Sequence, residues 1–125
     1  MVAESVMEDY KERTRAELRM TSSFAKDALR ELRKGNFKVA LTQVQEAEAH
    51  IVETKNLLKE MNHLSEMERT NNNVKKATML AQEVNEKERE LEELEKQLIQ
   101  VKQAATQETE QVAMGEVEKD PETEI

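Results

Sequence analysis

Apolar residues recur along this chain at three- and four-residue intervals and almost never alternate, which is the period of helices rather than strands. Val6, Tyr10, Leu18, Phe24, Ala25, Ala28, Leu29 and Leu32 mark one face of a first helix, predicted to run to about Lys34. Ser5-Val6-Met7-Glu8 has the form of a capping box at its start, a hydroxyl for the first turn and a carboxylate that reaches back. Arg33-Lys34-Gly35-Asn36 reads as a stop and restart. Basic residues suit the negative helix end, Gly accepts a left-handed position, and Asn can cap the next helix.

The second helix has the cleanest register. Phe37, Val44, Ile51 and Leu58 fall on heptad position a, and Ala40, Ala47, Thr54 and Met61 on d. One seam is large and the other mostly small, so a partner helix can approach closely, and an antiparallel hairpin with the first helix is predicted. Thr70-Asn71-Asn72-Asn73 is the second break. Beyond it the register restarts, with Ala77, Val84, Leu91, Leu98 and Ala105 at a and Leu80, Leu94 and Val101 at d. Lys87 is the one charge on that seam. It is expected to reach a carboxylate such as Glu83 or Glu90 of another chain. The third helix is predicted from Val74 to Val112, about 58 Å at 1.5 Å per residue. It outreaches the second, and four sustained heptads flanked by Glu83, Glu88, Glu90, Glu95 and Lys102 point to coiled-coil pairing.

The fold class is therefore all-α: a helical hairpin over 1–73, a long coiled-coil helix over 74–114 packing on it or on a partner chain, and a disordered acidic tail over 115–125. Composition supports this. Among 125 residues there are two Gly, one Pro and no Cys or Trp. With Tyr10, Phe24 and Phe37 as its aromatics, that leaves a sheet with few aromatic residues and little turn punctuation. Without Cys there can be no disulfide and no thiolate metal site. No apolar run approaches a membrane span and no signal-peptide pattern stands at the N-terminus, so a cytoplasmic protein is expected. No repeat of 20 to 50 residues is evident.

Charge sharpens the picture. The net charge is −8, but residues 11–38 carry nine Lys/Arg against four Asp/Glu, while residues 74–125 carry seven against fourteen. The basic first helix and the acidic third can complement each other, within one chain or between chains. Alternatively Arg15, Arg19, Lys26, Arg30 and Arg33 form a stripe for phosphates or an acidic partner. The acidic whole and the lack of stacking aromatics favour the first reading.

Little here carries catalytic chemistry. The only histidines are His50 and His63, and two isolated Gly exclude a phosphate-cradling loop. Glu60-Met61-Asn62-His63 matches half of a di-iron ExxH pair, but no second copy exists in the chain. Glu46, His50 and Glu53 share a face that reads as solvated. Met7, Met20, Met61, Met67, Met79 and Met114 form no single stripe and read as gap-fillers. Thr123-Glu124-Ile125 fits the short Thr-x-apolar carboxylate signature of PDZ-type ligands. No catalytic, cofactor-binding or metal-ligating residue is assigned, no cofactor is expected, and the chain is read as not an enzyme.

Residues 13–60 resemble the helical hairpin of translin-family proteins. The likeness rests on Ala28-Leu29-Arg30-Glu31-Leu32-Arg33-Lys34-Gly35-Asn36-Phe37, then Ala40, Glu46-Ala47-Glu48 and Leu57-Leu58-Lys59. It implies an all-α oligomer that binds single-stranded nucleic acid, though residues 74–125 do not follow that family. Three functions stand as expectations. The first is a non-enzymatic oligomerisation, scaffold or adaptor protein acting through helix–helix contacts with itself or another helical protein, its seam being Phe37, Val44, Ile51, Leu58, Val84, Leu91, Leu94, Leu98 and Val101. The second is a translin-like nucleic-acid-binding module using the first helix, and the third a coiled-coil holdase chaperone.

Overall fold

Heptad spacing of buried positions runs through all three helices of the structure, a computed structural model that describes the backbone of residues 3–124 and the side chains of residues 3–110. The helices are α1 (Glu4–Arg33), α2 (Phe37–Thr70) and α3 (Val74–Glu124), and no strand occurs among the described residues. In α1 the buried row is Met7, Thr14, Leu18, Thr21, Ala25 and Ala28. In α2 it is Ala40, Val44, Ala47, Ile51, Thr54, Leu58 and Met61, prolonged by Ser65 and Glu68. In α3 it is Ala77, Leu80, Val84, Leu91, Leu98, Val101 and Ala105.

The rows converge because the helices pack up, down and up. Thr14 meets Met61 and Glu17 meets His50 across the antiparallel α1–α2 pair. Lys55–Glu95 and Lys102–Glu48, each 3.2 Å, tie α2 to an antiparallel α3. One core cluster joins Leu18 and Ala25 of α1, Val44, Ile51 and Leu58 of α2, and Val84, Leu91 and Leu98 of α3. Each buried Leu or Ile contributes roughly 1.5–3 kcal/mol, against a few tenths for an exposed i,i+3 ion pair. The core therefore holds the bundle and the surface pairs decorate it.

Polar residues enter this core by satisfying themselves. Thr14, Thr21 and Thr54 are wholly buried, and their hydroxyls donate to Tyr10, Glu17 and His50 carbonyls four residues back at 2.7, 2.8 and 2.7 Å. With the hydroxyl so bound, each presents its methyl to the core much as Val would.

Both turns are built alike. After α1, the Asn36 N–H bonds the Glu31 carbonyl (2.9 Å) and the Gly35 N–H the Leu32 carbonyl (3.0 Å). After α2, Asn73 bonds Glu68 (2.8 Å) and Asn72 bonds Arg69 (3.1 Å) in the same way. Each is a Schellman-type ending with one left-handed residue, Gly35 at φ 83° and Asn72 at φ 62°. In each, the Asn carbonyl then accepts the first bond of the next helix, from Ala40 at 2.9 Å or Ala77 at 3.0 Å. The motif recurs 37 residues on, so a short repeat exists where none is evident by eye: Glu31, Asn36, Lys38 and Ala40 against Glu68, Asn73, Lys75 and Ala77.

Three local expectations are corrected. α1 begins at Glu4 with Ala3 as its N-cap and no side-chain capping bond, so Ser5 lies inside the first turn rather than capping it. Asn36 occupies the N-cap of α2, yet its amide reaches back to the Glu31 carboxylate (2.7 Å) instead of capping forward. Finally, α3 continues as helix to Glu124, past the Val112 end.

Candidate interaction surfaces

The seam residues singled out in the sequence lie inside this chain's own bundle. Val44, Ile51, Leu58, Val84, Leu91, Leu98 and Val101 are buried together, while Phe37 and Leu94 are half-buried at its margins. Two short turns hold the three stripes side by side, so each finds its partner within the chain. α3 therefore needs no second chain to cover residues 77–105. α3, with 51 residues, is longer than α2, with 34.

Lys87 illustrates the same closure. Its side chain is only 15% exposed, and its ammonium lies 3.9 Å from Glu83 and 3.7 Å from Glu90, both one turn away on α3. The carboxylates expected on another chain are supplied by its own helix. Lys87, Glu90, Glu93 and Leu94 form one bank of a shallow groove whose other bank is Arg15, Leu18, Arg19 and Ser22.

The basic stripe divides. Arg15 pairs with Glu12 and lies 4.0 Å from Glu83, and Arg30 pairs with Asp27 at 2.9 Å. Arg19, Lys26 and Arg33 are exposed, and no ion pair holds them among the described residues. These three stand one heptad apart, about 10.5 Å along α1, on one line facing solvent beside the α3 edge.

The histidines do not assemble a reactive centre. His50 lies against α1, its Nδ1 2.6 Å from Glu17 Oε2 and its ring stacked on Phe24 with centroids 5.5 Å apart. The face expected to be solvated is thus, at His50, an α1–α2 contact. Glu53 also reaches α1, 4.0 Å from Arg13. Glu60 and His63 are exposed, and no group of three or more metal-ligating side chains occurs among the described residues. Met7 and Met61 are buried, whereas Met20, Met67 and Met79 are exposed. The side chains of Met114 and of Thr123-Glu124-Ile125 lie outside the described residues.

The pattern of apolar residues alone misses Ser65 and Glu68. Ser65 donates to the Ala77 carbonyl at 2.7 Å, and the buried Glu68 accepts from the Asn73 amide at 2.8 Å. The findable signal is register: both continue the a and d positions of α2. No family model, no curated protein and no solved structure matches the chain. Nor is any helix among the described residues long and apolar enough to cross a membrane.

Proposed function

We propose that this chain is a non-enzymatic oligomerisation or scaffold protein that acts through helix–helix contacts with further copies of itself. One observation carries the reading. The Lys55–Glu95 and Lys102–Glu48 pairs set a register that brings Phe37, the first residue of α2, level with residue 113 of α3, so about 11 residues of α3, roughly 17 Å, run on to Glu124 past the start of α2. A lone helix of that length is marginal in water and gains stability by packing. The exposed Val39, Val52 and Ile99 add apolar surface on the same half of the bundle.

Fluorescence transfer tests this directly. The chain has no cysteine, so Gln45→Cys, at an exposed position of α2, gives one labelling point. Mixing donor- and acceptor-labelled copies at micromolar concentration should produce transfer that unlabelled chain competes away. Absence of transfer across the accessible concentration range contradicts the reading.

A second reading, a translin-like nucleic-acid-binding module, is supported by the unpaired line of Arg19, Lys26 and Arg33. It requires binding to a labelled single strand that weakens steeply with salt and is lost in Arg19→Glu with Lys26→Glu.

A further inference from the structure

We infer that the exposed cation line of α1 is a docking surface for the acidic end of α3 from a second copy of this chain. The inference rests on the self-association proposed above and specifies its contact. Three observations converge on this occupant.

The first is charge. Near Arg15 and Arg19, α3 supplies Glu83, Glu90 and Glu93 as an opposing bank. Further along, residues 96–107 of α3 contain no Asp or Glu at all. The chain's own α3 therefore leaves Lys26 and Arg33 without neutralisation as it passes them. Residues 108–124, by contrast, hold seven Asp/Glu and one Lys.

The second is direction. α3 runs parallel to α1 and continues as helix to Glu124. Its acidic end is thus carried past the Gly35 turn, away from the cation line on the shaft of the same chain. Only another copy, turned antiparallel, brings that end alongside the line.

The third is length. Arg19 to Arg33 is 14 residues, about 21 Å, and the α3 extension past the start of α2 is about 11 residues, roughly 17 Å. In a two-fold arrangement each copy offers one line and one extension, so both contacts form at once and the assembly closes as a dimer. Single exposed pairs are weak, but several aligned along two helices act together and are sensitive to salt.

The test couples mixed-isotope cross-linking with charge reversal in the full chain. Equal parts of unlabelled and heavy-isotope protein are treated with a zero-length carbodiimide, which joins amines to carboxylates. Lys26 should link to carboxylates of residues 108–124 in mixed-isotope pairs. Arg19→Glu with Lys26→Glu and Arg33→Glu, all at exposed positions, should weaken the dimer about tenfold or more. Glu116→Lys with Glu118→Lys and Glu122→Lys, mixed with that variant, should restore pairing between the two. Links confined to single-isotope pairs would overturn the inference in favour of the chain's own tail. A dimer indifferent to both variants would overturn it while leaving self-association standing. A chain monomeric under all conditions would overturn both. A cation line that binds a single strand and never links to the tail would overturn it in favour of the nucleic-acid reading.

Discussion

Asn73 holds Glu68 twice: its N–H bonds the Glu68 carbonyl and its side-chain amide donates to the Glu68 carboxylate, each at 2.8 Å. Asn36 holds Glu31 in the same manner, at 2.9 and 2.7 Å. The two turns differ in burial. Glu68 is wholly covered, whereas the Glu31 side chain retains 21% exposure. Glu68→Ala takes the carboxylate acceptor from the part-buried Asn73 amide and empties a wholly buried position, at about 1–3 kcal/mol. Glu31→Ala exchanges its bond for water and should cost well under half as much. Urea melts of the two variants check this, and equal losses would show that burial of the second turn is unimportant.

Gly35 and Asn72 occupy the same left-handed position in their turns. A Cβ placed on Gly35 would meet no atom within 4 Å, so only its φ of 83° resists substitution. Gly35→Asn should therefore be tolerated to within about 1 kcal/mol, since Asn visits this region readily. Gly35→Val should lose about 1–3 kcal/mol. Thermal melts of both variants distinguish a strained turn from an indifferent one, in which Val and Asn behave alike.

Thr54 sits at the centre of the α2 seam with its hydroxyl bound to the His50 carbonyl. That carbonyl already belongs to the helix ladder, so Thr54→Val removes a bond without orphaning it. Stability should stay level or rise, by less than about 1.5 kcal/mol. In urea melts, a loss above about 2 kcal/mol would mean that the hydroxyl, not the methyl, matters at this position.

Lys87 lies in the groove beside Leu18 and Leu94 with its charge satisfied only along its own helix. Lys87→Leu removes the desolvation of an ammonium and completes the apolar row from Val84 to Leu91. The expected result is a higher melting temperature by differential scanning calorimetry. An unchanged or lowered temperature would show that the two carboxylates stabilise more than the seam does.

Much of the fold is legible in the heptads. Val44, Ile51 and Leu58 on α2, and Val84, Leu91 and Leu98 on α3, announce their shared side by seven-residue spacing and lie buried together. The breaks at Gly35 and at Asn71-Asn72-Asn73 mark both turns. Less legible is any position where a polar residue takes a core place. Thr14 and Thr21 hide the α1 heptad because their hydroxyls look hydrophilic until bonded within the helix, and Glu68 looks solvated until Asn73 closes over it. Seven-residue spacing puts the seam on the residues that are buried, but it does not say whether the facing helix belongs to the same chain. The cation line is visible as composition. Separating Arg15 and Arg30, which pair, from Arg19, Lys26 and Arg33, which do not, takes geometry.

Sedimentation equilibrium of the full chain at micromolar concentration and low salt bears most directly on the scaffold reading. A discrete species at twice the 14.5 kDa chain mass is expected, shifting toward monomer as salt is raised. A single ideal species at 14.5 kDa throughout the concentration range would contradict it.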